Sequence, residues 1–300
     1  MKITLTGSLG NIGQPLTENL IAKRHSITVV SSNSEKKGYI EALGAKPAIG
    51  TIENVDFLTQ AFTGADAVYL MEPPVSFFDH TLNITDYYSN LGHNFVQAIR
   101  QSGVKRVVHL SSIGAHLGKG NGILLFHHLV ESILKKLSSD VVLIHIRPLA
   151  FYYNLVGFLP VIKNSGLIAA NYGGDDLIPW VSPIDIAAVI AEELTTLTEE
   201  KKIRYVVSDE LTCNRTASIL GAAIGKPDLK WVVISDEQMQ SRLESIGVAP
   251  HLAAGLVEMN AAMHSGKLFE DYNQNLPAVF GKVKMTDYAQ EFAAIFKNNK

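Results

Sequence analysis

Three glycines near the start of the chain are spaced so that they could hold a phosphate group. The segment Thr6-Gly7-Ser8-Leu9-Gly10-Asn11-Ile12-Gly13 follows an apolar run at residues 3–5 and precedes an amphipathic stretch at about 12–23. In a strand–turn–helix unit, such glycines allow a tight turn, close approach of a pyrophosphate and packing of the helix on the strand. The free N–H groups and the positive dipole end of the helix then favour the phosphates. This pattern predicts a dinucleotide site, and the alternative is a plain turn between a strand and a helix. The predicted contacts are Thr6, Gly7, Leu9, Gly10, Asn11, Ile12 and Gly13.

The second strand segment ends without the acidic residue that usually accompanies NAD specificity. An NAD site places an acid about 20 residues after the glycines, whereas this chain has Ser31-Ser32-Asn33-Ser34-Glu35-Lys36-Lys37. Hydroxyl and amide donors together with a cation suit the 2′-phosphate of NADP. We therefore predict NADP as the cofactor in preference to NAD, with Ser31, Ser32, Asn33 and Lys36 among its contacts. The alternative is an ordinary turn in which Ser34 caps the next helix.

A histidine and a glutamate four residues apart are the candidates for acid–base chemistry. His127 and Glu131 lie on a helix predicted over 122–137, and a spacing of four places both side chains on one face. His127 would orient or protonate a substrate while Glu131 holds its ring, and His128 is predicted to point toward solvent. The alternative is a His–Glu pair on a helix face without any chemistry.

Polar and aromatic residues further along the chain could complete a site. Ser111 and Ser112 follow the strand predicted at 107–110, at the end where α/β folds bind ligands. They are expected to contact the nicotinamide ribose or the substrate, unless their hydroxyls only satisfy the turn backbone. Phe151-Tyr152-Tyr153-Asn154 and Trp180 are candidate walls for a flat aromatic substrate, and packing in the core or an interface is the alternative. The ten histidines form no cluster with metal-ligand spacing, so no metal is predicted.

The elements that must position these residues alternate between strands and helices. Short runs rich in β-branched residues occur at 3–5, 26–30, 67–70, 107–110 and 141–146, with helix candidates near 12–23, 35–43, 54–62, 79–102 and 122–137. This alternation predicts an α/β fold of the Rossmann type, a doubly wound parallel sheet with helices on both faces. Residues 1–150 would form the dinucleotide-binding core. Residues 151–300, with a β-rich segment at 203–207 and mostly helices after 235, would form a smaller substrate-side region partly interleaved with the core.

Composition excludes several classes of protein. With 47% hydrophobic and 18% charged residues the chain should bury a sizeable core, and a net charge of -3 without a basic stripe argues against direct nucleic-acid binding. The absence of a long apolar run and of a secretory signal predicts a cytoplasmic protein without a membrane span. The single cysteine, Cys213, excludes an internal disulfide and is expected to be a small buried side chain.

Several motifs resemble one branch of the atypical short-chain dehydrogenase/reductases, the NmrA-like proteins, which include triphenylmethane reductase and NADPH–quinone reductase relatives. The chain spaces its glycines as Gly-x-x-Gly-x-x-Gly, and the resemblance then covers nearly its whole length. The matching segments are 104–112 (VKRVVHLSS), 146–148 (IRP), Phe151, Asn154, 180–187 (WVSPIDIA) and 233–237 (VISDE). The resemblance implies a nicotinamide cofactor and an aromatic or quinone-like substrate, and Pro148 of the second segment would contact the cofactor.

The chain also departs from the family at several positions. His127 and Glu131 stand where short-chain reductases carry the tyrosine and lysine of the Tyr-x-x-x-Lys pair, and the usual arginine after the second strand is missing. Gly50-Thr51 replaces Gly-Asp after the third strand, so Thr51 would hold the adenine. After the fourth strand, the stiff segment Met71-Glu72-Pro73-Pro74 would bring Pro73 to the nicotinamide side.

Two functions compete at this stage. The first is an NADPH-dependent reductase of quinones or similar planar conjugated acceptors, and hydride transfer to such acceptors needs little acid catalysis. The second is a redox-sensing regulator that binds the dinucleotide and docks another protein. Isomerase or epimerase chemistry normally needs the missing Tyr-x-x-x-Lys pair. A homodimer is compatible with either function.

Overall fold

The computed structural model describes residues 1–196 and 202–298. The strands are β1 (Lys2–Leu5), β2 (Ser26–Ser31), β3 (Lys46–Ile49), β4 (Ala67–Leu70), β5 (Arg106–Leu110), β6 (Val142–Pro148), β7 (Ala150–Phe151), β8 (Leu167–Ala170), β9 (Leu177–Val181), β10 (Lys202–Val206), β11 (Asp209–Thr212) and β12 (Lys230–Val233). The helices are α1 (Gly13–Ala22), α2 (Lys37–Ala42), α3 (Val55–Phe62), α4 (Ile84–Ser102), α5 (Leu125–Leu134), α6 (Leu159–Ser165), α7 (Pro183–Thr195), α8 (Cys213–Ala223), α9 (Asp236–Ser245), α10 (Pro250–His264), α11 (Glu270–Gln274) and α12 (Met285–Asn298).

Seven parallel strands form the central sheet, in the order β10-β6-β5-β4-β1-β2-β3. The order reverses between β4 and β1, and in open α/β sheets ligands bind at the carboxyl ends of the strands beside such a reversal. The predicted Rossmann-type fold is therefore confirmed. Because β10 lies at one edge, residues beyond 150 complete the sheet.

Helices cover both faces of this sheet with separate apolar layers. On one face α1 packs on β2 and α7 packs on β4 and β5, with Leu16 and Ile190 fully buried. On the other face α3, α4 and α5 pack on β4, β5 and β6, with Phe95 and Val130 fully buried. A third apolar cluster lies in the mostly helical C-terminal region and includes Cys213, which is 0% exposed as expected.

Two helices begin later than their sequence pattern indicated, and both differences have local causes. The helix predicted at 79–102 begins at Ile84, because the Asn83 side chain accepts a hydrogen bond from the Asp86 N–H and caps it. The helix predicted at 122–137 begins at Leu125, after a 3₁₀ turn. In that turn, Gly122 has a φ of 56°, and a side chain there would overlap the carbonyl oxygen of Gly255. The start of α5 is thus held against α10 by a contact between backbones.

Candidate cofactor and active site

The glycine turn is anchored to both strands that flank β1. The Thr6 hydroxyl accepts a hydrogen bond from the N–H of Met71 at 2.8 Å, just after β4. The N–H of Ser8 donates to the carbonyl of Val30 at 3.1 Å, and its hydroxyl donates to that of Ser31 at 3.0 Å, both in β2. Thr6 and Ser31 are buried, so they hold the turn in position rather than forming its surface.

The three glycines of the turn differ in what the fold requires of them. Gly7 has a φ of 88°, and a side chain there would meet the Met71 sulfur at 2.6 Å. A methyl group on Gly13 would overlap the carbonyl oxygen of Ser8, so only glycine fits. A methyl group on Gly10 would meet nothing closer than the carbonyl oxygen of Gly7, at 3.7 Å. The fold leaves space over Gly10, and this is the space that a pyrophosphate would need.

The start of α1 is also suited to an anion. Its N-cap residue, Ile12, offers no side-chain hydrogen bond, and the first turn contains no acidic residue. The free N–H groups and the positive dipole end at the start of α1 are therefore not neutralised by an acidic side chain of the helix itself. Leu9 is half-buried and Asn11 is exposed beside this end.

The segment after β2 presents polar groups without an acid at the strand end. Ser32 and Asn33 are exposed, and Lys36 lies with its Nζ 5.7 Å from the ring centre of Tyr39. The alternative prediction for this segment was a turn in which Ser34 caps the next helix, and the predicted capping residue is wrong. The Asn33 side chain accepts from the N–H of Glu35 at 2.8 Å, so Asn33 is the capping residue.

The remaining predicted cofactor contacts also lie at carboxyl ends of strands. Thr51 is exposed after β3, and its hydroxyl accepts from the N–H of Glu53 at 3.2 Å. The carbonyl of Pro73, after β4, accepts from the Tyr88 hydroxyl at 2.8 Å. Pro148 ends β6 and is buried. The fold thus brings the carboxyl ends of β1 to β6 to one edge of the sheet.

Glu131 is held by an arginine and not by His127. Its two carboxylate oxygens accept hydrogen bonds from Nε and Nη2 of Arg147 at 2.8 and 2.7 Å, and one also accepts from the Ser111 hydroxyl at 2.7 Å. Burial alone would raise the pKa of Glu131, but the Arg147 hydrogen bonds and charge lower it to about 2. The expectation that Glu131 holds the His127 ring is therefore wrong, because its oxygens are already engaged.

Arg147 also joins the sheet to the C-terminal helices. Its Nη1 donates to the Tyr205 hydroxyl and to the Asp271 carboxylate, both at 3.0 Å. Tyr205 in turn donates to Asp271. One buried guanidinium therefore connects α5, β10 and α11.

His127 lies among buried groups and is neutral at physiological pH. Burial lowers its pKa to about 4, although the nearby Glu72 carboxylate acts in the opposite direction. Its ring packs on Phe126 with 3.9 Å between ring centres, and its Nδ1 is buried with no hydrogen-bond partner among the described residues. The prediction for His128 is wrong, because this residue is half-buried and its Nδ1 lies 3.0 Å from the carbonyl oxygen of Ala115.

A second buried polar chain lies between the sheet and α5. Nε2 of His109 lies 3.0 Å from Oε1 of Glu72, and Nδ1 of His109 lies 2.9 Å from Nδ1 of His145. All three residues are buried, and Glu72 is the most exposed of them at 8%. Burial alone would raise the pKa of Glu72, but the charge and hydrogen bond of His109 lower it below the usual range. Sequence reasoning did not single out these residues.

A repeating pattern in two strands is the sequence signal for this buried layer of polar side chains. In β5 and the residue after it, Val107, His109 and Ser111 alternate with apolar residues that face α1 and α7. In β6, His145 and Arg147 continue the same face, next to β5 in register. Polar residues at every second position of a buried strand indicate a polar layer under one helix.

The candidate aromatic walls separate into two groups. Phe151 and Tyr153 are half-buried, and their rings stack with 5.0 Å between centres. Trp180 is 2% exposed and stacks on the buried Tyr152, so it belongs to the core and the prediction of a substrate wall there is wrong. Ser112 is half-buried after β5.

Residues 1–196 and 202–298 contain neither a grouping of metal-ligating side chains nor a membrane-spanning helix. In this part of the chain, no three His, Cys, Asp or Glu side chains are grouped so that they could hold a metal ion. None of its helices is both long and apolar enough to cross a membrane.

Fold and glycine turn together define a dinucleotide-binding protein of the Rossmann type. A family profile described as NAD(P)H-binding matches residues 7–197, and the chain belongs to this family. Its cofactor is therefore a nicotinamide dinucleotide. Two solved reductases share this fold over nearly the whole chain.

The structural similarity is extensive while sequence identity is low. An NADPH-dependent quinone oxidoreductase from Escherichia coli, solved with NADPH, has a TM-score of 0.80 and 20% identity over 96% of this chain and 99% of its own. A triphenylmethane reductase from Citrobacter sp., solved with NADP(H), has a TM-score of 0.75 and 22% identity over 97% and 100%. Among curated proteins, a (4-alkanoyl-5-oxo-2,5-dihydrofuran-3-yl)methyl phosphate reductase from Streptomyces griseus is 24% identical over 75% of this chain and 74% of its own.

Proposed function

We propose that this chain is an NAD(P)H-dependent reductase of quinones or similar planar conjugated acceptors, with NADP preferred over NAD. The observation that carries this proposal is the pairing of charges in the described part of the site. Glu131 is fixed by Arg147 and Glu72 by His109, so neither carboxylate is placed to remove a proton from an alcohol. Hydride transfer to a conjugated acceptor needs little acid catalysis, and such a site suits it.

The roles of the residues follow from their positions. The glycine turn would hold the pyrophosphate over Gly10, and Ser32, Asn33 and Lys36 would hold the 2′-phosphate. Bound NADPH supplies a hydride, while the protein binds and orients both reactants. Thr51 would contact the adenine, and Pro73, Ser111 and Pro148 would line the nicotinamide half.

His127 would orient the acceptor as a neutral hydrogen-bond donor. Since its Nδ1 is buried without a partner in the described part of the chain, the tautomer with the proton on Nε2 leaves only a lone pair unsatisfied. Nε2–H can then donate to a carbonyl oxygen of the acceptor, with Ser112 as a second hydroxyl donor. Glu131 would act indirectly, as a positioning residue that fixes Ser111.

Aromatic side chains support a planar acceptor. The stacked rings of Phe151 and Tyr153 are only half-buried, and Phe151 packs on the same apolar cluster as Leu9 of the glycine turn. A flat conjugated ring can stack on such a pair. We propose that residues after 150 form the substrate side of the site.

Two measurements test this proposal. Titration of protein fluorescence should give tighter binding of NADPH than of NADH, and equal affinities would refute the role of Ser32 to Lys36. Steady-state oxidation of NADPH should proceed with quinones or cationic dyes in a panel of acceptors. Tight binding without turnover of any acceptor would refute the reductase and favour a sensor that docks another protein.

A further inference from the structure

Ser31 lies at the carboxyl end of β2, between the loops that follow β1 and β3. It is only 3% exposed, whereas the next two residues, Ser32 and Asn33, are exposed. The sequence predicts Ser31 as a contact of the cofactor, but its hydrogen bonds are all made within the protein. They indicate a different role for this residue in the same site.

The Ser31 hydroxyl has no hydrogen-bonding position left for a ligand. It accepts from the Ser8 hydroxyl at 3.0 Å and from the N–H of Asn33 at 3.3 Å, and it donates to the carbonyl oxygen of Asn33 at 3.3 Å. A serine hydroxyl offers one donor and two acceptor positions, and these bonds use all of them. Ser31 therefore connects two loops and does not itself bind a phosphate.

The bond to Ser8 holds the glycine turn in an uncommon backbone conformation. Ser8 has a φ of 55°, in the left-handed region that favours glycine, and its N–H donates to the carbonyl oxygen of Val30 at 3.1 Å. Its own carbonyl oxygen faces Gly13 at the start of α1, where an added methyl group would overlap it. The hydrogen bond between Ser8 and Ser31 thus fixes the turn proposed for the pyrophosphate against the end of β2.

The other bonds of Ser31 fix the loops after β2 and β3. Ser31 holds both the N–H and the carbonyl of Asn33, and Oδ1 of Asn33 accepts from the N–H of Glu35 at 2.8 Å. With Oδ1 engaged, the Nδ2 amide is the group that Asn33 can offer to an anionic oxygen. The Ser31 carbonyl oxygen accepts from the N–H of Gly50 at 3.0 Å, immediately before Thr51. One buried residue therefore connects the loops assigned to the pyrophosphate, the 2′-phosphate and the adenine.

We propose that Ser31 is a positioning residue that sets the preference of this site for a cofactor with a 2′-phosphate. The 2′-phosphate and the pyrophosphate are attached to the same ribose, so the groups that bind them must be held at a matching distance. Ser31 fixes that distance through Ser8 on one side and Asn33 on the other, which lowers the cost of ordering both loops on binding. This inference rests on the proposed cofactor site and adds to it how the site distinguishes NADPH from NADH.

The ratio of the affinities for NADPH and NADH tests this role. In Ser31→Ala, which removes only the hydroxyl, we expect the dissociation constant for NADPH to rise about tenfold, since both loops lose their hydrogen bonds. The constant for NADH should rise only about threefold, because this cofactor has no 2′-phosphate to place. A general loss of stability would affect both cofactors alike. Ser26→Ala, at the exposed amino end of the same strand, is the matched control and should change neither constant.

Ser8→Gly separates the two sides of Ser31. Glycine adopts the φ of 55° without strain, so this variant loses only the hydrogen bond to Ser31. The constants for NADPH and NADH should then both rise about threefold, and their ratio should stay as in the wild type. The double variant Ser8→Gly/Ser31→Ala should bind like Ser31→Ala, because the bond between the two residues is already lost. Additive losses in the double variant would overturn the proposed coupling.

The contrary results can be told apart. An equal rise of both constants in Ser31→Ala would overturn the role of Ser31 and leave the cofactor site intact. Equal affinities of the wild-type protein for NADPH and NADH would instead refute the cofactor preference, and failure to bind either would refute the site itself. If Ser31→Ala does not fold, Ser31→Cys is measured with the same expectation, because a thiol keeps the size of the side chain but is a weak donor and acceptor.

Discussion

Replacing Gly10 by alanine separates what the glycine turn does for folding from what it does for binding. The added methyl group would lie 3.7 Å from the Gly7 carbonyl oxygen, an ordinary contact, and Gly10 does not have a positive φ. We therefore expect the free energy of unfolding to change by less than about 1 kcal/mol. The same methyl group fills the space over the turn, so the dissociation constant for NADPH should rise at least about tenfold, or about 1.4 kcal/mol.

Gly13→Ala is the matched comparison within the same turn. Its methyl group would overlap the Ser8 carbonyl oxygen, so the turn or α1 must shift. We expect this variant to lose about 1–3 kcal/mol of stability, as for other overpacked sites. Urea denaturation gives the stability of both variants and fluorescence titration gives their affinity for NADPH. Normal affinity in Gly10→Ala would refute the assignment of the phosphate site, and strong destabilisation of Gly10→Ala would refute the steric argument.

Three further predictions concern the buried polar layer. His127→Ala should lower kcat/KM by about 10–100-fold, near the low end for acid–base catalysis, with little change in NADPH affinity. An unchanged kcat/KM would show that this ring has only a structural role. His128→Ala is not a silent control, since it loses the bond to Ala115. Arg147→Leu should cost about 3–5 kcal/mol in urea denaturation by leaving Glu131 buried and unpaired, and a neutral result would contradict the buried pair. Because His127 and His145 have folded pKa values of about 4 and 3 and unfolded values near 6.5, the unfolded chain binds more protons between these limits. Stability should therefore fall as pH falls below about 6.5, and His145→Leu should flatten that slope in urea titrations.

The central sheet and the glycine turn were accessible from the sequence because both depend on local patterns. β1, β2, β4, β5 and β6 appeared as β-branched runs. β3 was absent from those runs and was implied only by the family resemblance, because Lys46 and Pro47 interrupt the apolar pattern of this edge strand. Helix starts were less accessible, since the Asn83 cap and the Gly122 contact depend on particular side chains and on a distant helix.

The partners of the site residues could not be derived from spacing along one helix. A separation of four placed His127 and Glu131 on one face, yet Glu131 binds Arg147, which lies 16 residues further on in β6. Such a pairing depends on the distance between the sheet and α5. His109 and His145 were likewise 36 residues apart, and only the register of β5 and β6 brings them together.

The guanidinium of Arg147 limits how this chain can be cut or recombined. Its donors are divided between Glu131 on α5 and Asp271 on α11, so removal of the last thirty residues would leave part of a buried charge without its counter-ion. A chimaera that grafts another C-terminal half after residue 150 would meet the same difficulty unless Tyr205 and Asp271 were retained. Exchange of acceptor specificity between relatives is therefore better attempted through surface loops than by replacing the whole half.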